Sequence, residues 1–268
     1  MINTFRDIFY GYVGALALGL VLPIRVLNPA LPSGLRLGLF IVIILVAAGI
    51  ATWLTQKRIL SCNEPVENCR LKEGIDRLEG IMKTVRDHNS RVMFKLNEAA
   101  AYSDLGEYSR AVEIMKDANV PDKHSLREMT LMAIYQYQMA VALMETGLLD
   151  EAELRVTTLD YILGDLKFRE PMLSRMLRSS KMAKQRLAVL RGDHEGAYDA
   201  YRRFEENAES LRVRVCCRYR MGEESAYLGN MKDAVSSMEY VAKYGGDTIY
   251  AAKAREFLAE QKKAGGEE

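Results

Sequence analysis

Gly106-Glu-Tyr-Ser-Arg-Ala111 has three counterparts further along the chain: Gly147-Leu-Leu-Asp-Glu-Ala152, Gly192-Asp-His-Glu-Gly-Ala197 and Gly229-Asn-Met-Lys-Asp-Ala234. The glycines stand 41, 45 and 37 residues apart. A period of that size marks a stacked helical array. Apolar residues at helical spacing precede the turns: Leu96, Ala99, Tyr102 and Leu105; Met139, Val141, Ala142 and Leu143; Tyr219, Met221 and Leu228. A glycine after such a stretch supplies the left-handed conformation that closes a helix. An acid or Asn two to four residues later suits the start of a second helix. The Ala then falls on about the first turn of that helix, where a small side chain lets two antiparallel helices approach closely. Each unit therefore reads as helix, tight turn, helix.

These residues resemble the tetratricopeptide repeat. The first unit carries the resemblance best, with Ala99, Tyr102, Gly106, Tyr108 and Ala111, and Pro121 near its end. The second offers Ala140, Leu143, Gly147, Leu149 and Ala152. The third offers Ala188, Gly192, His194, Ala197 and Tyr201, and the fourth Ser225, Gly229, Met231, Ala234 and Met238. Gln185 and Gly222 depart from the pattern, and the spacing exceeds the roughly 34 residues usual for the family. The resemblance covers about residues 91–245 and implies an all-α chain with a solenoid of about four helix pairs. It also implies protein binding in a concave groove lined by the first helices.

Composition agrees with an all-helical reading. The chain has 268 residues, is 49% hydrophobic and contains six prolines. Long β-branched runs are scarce outside the N-terminus. A formal net charge of +1 makes no electrostatic case for a nucleic-acid partner.

The first sixty residues differ from the rest. Ile8 to Ile24 and Leu37 to Gln56 hold no charged residue. At about 1.5 Å per residue each reaches roughly 25–30 Å, near the lower limit for crossing a bilayer. Two transmembrane helices are expected, at about 8–24 and 37–55. Trp53, with Lys57 and Arg58 beyond it, marks an interface at the end of the second. A signal peptide is the rival reading of the first stretch, with Ala15-Leu-Ala17 as its cleavage site. However, the apolar run continues past that point and only Arg6 leads it. Arg25 to Arg36, with Pro29, Pro32 and Gly34, makes a turn, so the spans form an antiparallel hairpin. Gly11, Ala15 and Gly19 lie on one face and allow close packing of membrane helices, within the hairpin or in a homodimer. Arg6, Lys57, Arg58, Arg70 and Lys72 outnumber Arg25 and Arg36 on the other side. That bias puts the N-terminus and the repeats in the cytoplasm, and the short spans suit a bacterial inner membrane.

A connector helix is expected over about 61–90. Ser61-Cys-Asn-Glu64 reads as its capping box and Pro65 as its first turn. Its stripe of Leu71, Ile75, Leu78, Met82 and Val85 suits packing on the first repeat, or a short parallel coiled coil joining two copies. The repeat domain is placed at 91–263. Within it, Asp247 or Thr248 begins a last helix that caps the final repeat and runs to about Lys262. Residues 264–268 form a tail.

No Gly-rich phosphate loop, His-Glu-x-x-His or nucleophile elbow occurs. His88, His124 and His194 are far apart in sequence, and Cys62, Cys69, Cys216 and Cys217 lack metal-ligand spacing. The chain is read as a non-enzyme with no cofactor and no metal. Register on the first helices nominates partner-binding residues: Asn97, Asp104, Tyr137, Gln138, Glu145, Arg186, Tyr219, Arg220 and Glu223. Tyr and Arg carry much of the binding energy in protein interfaces, which favours Tyr137, Arg186, Tyr219 and Arg220. Leu96 and Ala100 stand where some relatives of the resembled family carry a clamp for acidic tails, so that mode is not expected. The leading expectation is a membrane-anchored cytoplasmic adaptor or scaffold. The alternative is an accessory or regulatory subunit of a membrane transport or secretion complex, assembled through the hairpin.

Overall fold

The computed structural model describes residues 41–42, 45–46, 49–50, 61–85, 87–121, 125–165 and 172–264. The described chain is all α, with no strand among these residues. After a helical segment at 61–67 come α1 (Leu71–Met82), α2 (His88–Leu105), α3 (Tyr108–Lys116), α4 (Leu126–Glu145) and α5 (Leu149–Asp165). They are followed by α6 (Met172–Leu190), α7 (Ala197–Glu206), α8 (Leu211–Tyr227), α9 (Met231–Tyr244) and α10 (Ile249–Ala264).

The four quoted stretches make the four hairpins α2–α3, α4–α5, α6–α7 and α8–α9. Gly106, Gly147, Gly192 and Gly229 have φ of +85°, +82°, +91° and +77°. Each glycine N–H donates to the carbonyl three residues back (Ser103, Met144, Val189, Ala226), at 2.9–3.2 Å. The next N–H donates to the carbonyl five back (Tyr102, Leu143, Ala188, Ser225), at 2.8–3.0 Å. This pair of bonds is the Schellman closure of a helix C-terminus. Ala111, Ala152, Ala197 and Ala234 are each fully buried, because the partner helix leaves no room for a longer side chain. Gly222 serves the same end, since a β-carbon there would stand 2.8 Å from the Met238 Cε on α9.

The helix starts differ from expectation. Among the second helices α9 has a side-chain cap, but from Asn230, one residue after Gly229 rather than two to four, accepting from the Asp233 N–H at 3.4 Å. No side chain caps α3, and α7 starts after Gly196. Side-chain caps stand instead on three first helices. Asp87 accepts from Ser90 N–H at 2.9 Å, Ser125 from Glu128 at 3.3 Å and Ser210 from Val213 at 3.4 Å.

The connector is not one continuous helix. It breaks at residues 68–70, where Cys69 takes φ +59°. The stripe from Leu71 to Val85 packs into the same core as α2, with Leu71, Ile75, Leu78 and Val85 buried and Met82 partly so. It is therefore spent within the chain and leaves no coiled-coil seam.

The ends of the array meet. Asp247 does not begin α10. Thr248 does so, accepting from Ala251 N–H at 3.2 Å. Asp247 instead caps the distant α1, its two carboxylate oxygens accepting from Leu71 N–H at 2.7 Å and Lys72 N–H at 3.0 Å. Asp247 N–H donates back to the Cys69 carbonyl at 3.2 Å. Cys69 is buried in a core cluster with Val215, Tyr219, Met238, Val241, Tyr250 and Ala254. Thus α10 covers the last pair and also joins it to the first helices.

The expected spans at about 8–24 and 37–55, including Gly11, Ala15 and Gly19, lie outside the described residues but for six positions. These six are helical, and Ile41, Val42, Leu45, Val46 and Ile50 are 49–65% exposed. Among the described residues no helix is long and apolar enough to cross a membrane.

Candidate functional site

A cavity of about 510 Å³ lies inside the closed array. The first helix of every pair turns a face onto it. Ala100, Ser103 and Asp104 come from α2, Tyr137, Gln138, Val141 and Glu145 from α4, Met182 and Arg186 from α6, and Arg212, Cys216 and Arg220 from α8. Repetition explains the convergence. Ala100, Val141, Arg186 and Glu223 each stand six residues before their turn glycine, so the same helix face recurs in each unit. Tyr250 on α10 and Tyr201 on α7 complete the wall, with Asn63 and Glu67 from the segment before α1.

Most of the charges in the cavity are paired. Arg220 donates to Glu145 at 2.6 Å and to Glu223 at 2.7 Å. Arg186 reaches the same two carboxylates at 3.0 and 3.5 Å. This four-residue cluster ties α4, α6 and α8 together. Its side chains are 6% exposed at Arg220, 9% at Glu145, 16% at Arg186 and 32% at Glu223. Burial alone would raise the Glu145 carboxyl, but the Arg220 and Arg186 guanidiniums outweigh it and hold it below its ordinary range. Arg212 pairs with Asp104 across the cavity. Burial works against its charge, yet Asp104 and Glu67 keep it charged beyond the ordinary arginine value. Burial pushes the Tyr137 and Tyr250 phenols and the Cys216 thiol upward, so all three stay protonated. A wall of neutralised ion pairs and protonated hydroxyls is suited to binding.

Three of the lining residues each carry a polar atom that is buried without a protein partner: Ser103 Oγ, Gln138 Oε1 and Tyr201 Oη.

The structure brings Tyr137, Gln138, Arg186 and Arg220 together on this cavity, and Glu223 joins through its ion pairs. Asn97 is not on the wall, its amide donating to Asn63 Oδ1 at 3.0 Å. Tyr219 is core, 6% exposed and packed with Val215 and Met238, with its ring 5.3 Å from that of Tyr250. Ser103, Tyr201, Arg212 and Tyr250 were not nominated from sequence. The helical register one turn from Ala100 would have reached Ser103. Nothing local signals Tyr250, which arrives through closure of the array.

His194 lies away from this cavity. Its Nδ1 is 2.8 Å from Glu224 Oε2 and its ring stacks on Tyr227 at 3.7 Å, tying the third turn to the fourth. His88 Nε2 is 3.1 Å from the Asn119 carbonyl, and His124 lies outside the described residues. All four cysteines are free. Among the described residues no group of three or more His, Cys, Asp or Glu is arranged to hold a metal. No protein-family model, curated protein or solved structure matches the chain.

Proposed function

We propose that this chain is a membrane-anchored adaptor of the tetratricopeptide-like α-solenoid kind, binding a partner protein on the concave face of its repeats. The observation that carries the reading is the convergence of the first helices of all four pairs on one 510 Å³ cavity. That volume is in the roughly 300–1,000 Å³ range of small-molecule pockets, room for a few side chains of a partner. On this reading the uncharged N-terminal stretches are the anchor and the repeats lie on the cytoplasmic side. Anchoring raises the effective concentration at the membrane, so modest affinity suffices. Exposed Ile41, Val42, Leu45, Val46 and Ile50 favour burial of that helix in lipid or against another membrane chain. The second burial is the alternative reading, an accessory subunit of a membrane complex assembled through the hairpin.

The test is recovery of partners from native membranes in mild detergent. The tagged full-length chain is compared with Met182→Trp, which fills the cavity, after circular dichroism has confirmed equal helical content. The adaptor reading expects a partner recovered at least tenfold less by the filled variant. Membrane proteins recovered equally by both would move the contact to the hairpin.

A further inference from the structure

The ion pairs of the concave wall balance as a whole but not place by place. In one cluster Arg186 and Arg220 face Glu145 and Glu223, two charges of each sign. Where the segment before α1 meets α2 and α8, Arg212 alone stands against two carboxylates. It pairs with Asp104, and Glu67 bears on it as well while holding no ion pair of its own among the described residues. On α6 the ratio is reversed, since Arg175 and Arg178 share the one carboxylate of Glu209, at 2.6 and 2.7 Å. The wall therefore carries a spare negative charge at Glu67 and a spare positive charge at Arg175 and Arg178, and all three residues line the cavity.

Both places are open to a small molecule. Glu67 is half-buried, and the side chains of Arg175 and Arg178 are 57% and 25% exposed. The wall they share also carries Ala100 from α2, Val141 and Met144 from α4, and Met182 from α6. A ligand is selected by complementary charge and by what it leaves unmet. A simple anion would answer the arginines and leave Glu67 unmet, and a simple cation would do the reverse. The several negative charges of a nucleotide would face Glu67 and the already paired Glu145. One ammonium and one carboxylate, joined by an apolar body, answer both places and the surface that the wall offers beside them.

We propose that the cavity binds a small zwitterion, with an ammonium set against Glu67 and a carboxylate set against Arg175 and Arg178. This goes beyond the adaptor reading and does not depend on it, because the imbalance of charge stands whether or not a protein also docks on the concave face.

The probes are aminohexanoate, aminooctanoate and aminodecanoate, each with its amine and carboxylate at opposite ends of the chain. They are titrated calorimetrically into the full-length chain in detergent, with empty micelles as the blank. The alkylamine and the alkanoate of each length are run beside them. The expected result is saturable binding of at least one amino carboxylate, about tenfold tighter than either half, and its loss in Met182→Trp. Glu67→Gln breaks no ion pair, and Arg175→Gln leaves Glu209 to Arg178, so both variants should melt close to the wild type. Each should weaken the amino carboxylate about tenfold, the scale of one charge-assisted hydrogen bond. Glu67→Gln should then no longer prefer it to the alkanoate, nor Arg175→Gln to the alkylamine. The selectivity of the wild type is decisive even if a variant fails to fold. Binding of no probe, equal binding of either half, binding that survives Met182→Trp, or unchanged binding by both folded charge variants overturns the proposal. If the probes fail while recovery of a membrane partner still depends on Met182→Trp, the adaptor reading stands without this ligand.

Discussion

Glu145 is the residue on which the concave face turns. It accepts from Arg220 and Arg186, two cations brought from different repeat units. Removing one partner of a buried cluster leaves uncompensated charge, and such losses run to about 3–5 kcal/mol. Glu145→Ala should lower the unfolding free energy by that order in urea titrations, whereas Arg191→Ala, which breaks an exposed pair with Asp150 and Glu153, should change it far less. Equal costs would mean that the cluster is not held as described. The same geometry sets a pH dependence. The folded Glu145 carboxyl lies below its ordinary 4.5. The unfolded chain therefore binds its proton first on acidification, and the contribution is fully present above about 4.5 and lost as pH falls through the lower folded value. Glu145→Gln should remove that part of the acid sensitivity, seen as a flatter stability profile below about pH 4.5. An unchanged slope would assign the sensitivity to other carboxylates. Sequence register placed Arg186, Arg220 and Glu223 on first helices. Arg220 and Glu223 stand three residues apart on one helix, but the other three pairs of the cluster join residues 37 to 75 apart and leave no local trace.

At the scale of the element, the glycine turns were legible and the breaks were not. Positive φ at a helix end leaves a strong local signature, and all four quoted glycines carry it. The turns are not equivalent, however. Gly147 has nothing within 4 Å of a would-be β-carbon, while at Gly106 that carbon would meet the Ile249 side chain at 3.1 Å. Gly147→Ala should cost only the left-handed backbone penalty, about 1–2 kcal/mol. Gly106→Ala should cost more, because it also pushes on α10 at the seam where the array closes. Matched melts of the two variants decide this, and equal losses would show that Ile249 moves aside freely. The interruption at residues 68–70 escaped the sequence for a physical reason. Ser61-Cys-Asn-Glu64 and the later apolar stripe are each good helix signals, and the break between them is closed by Cys69, a non-glycine residue at positive φ, with Asp247, 176 residues from Leu71, capping the helix that follows.

At the scale of the whole molecule, closure separates this chain from an open stack. In an open array each unit touches only its neighbours, so the ends fray independently. Here the last turn caps the first helix, and Cys69 lies in the core of the last pair. Closure also brings Tyr250 to the cavity, so the cavity and the seam are one construction. Gly246, at φ +57°, approaches the Cys69 backbone so closely that a β-carbon would overlap the carbonyl oxygen. Gly246→Ala should therefore part the seam, and Asp247→Ala should weaken it by about 0.5–2 kcal/mol through loss of the cap. Each variant should lose hydrogen-exchange protection at the Leu71 and Lys72 amides, whose acceptors are the Asp247 oxygens. Each should also speed alkylation of Cys69, a fully buried thiol pushed up to about 12 by its burial. Peptide mapping isolates that thiol from Cys62, Cys216 and Cys217. If parting the seam also lowers the recovery of a partner from membranes, the cavity depends on closure. Exchange and alkylation at wild-type rates in both variants would show that the ends of the array are held together by other contacts.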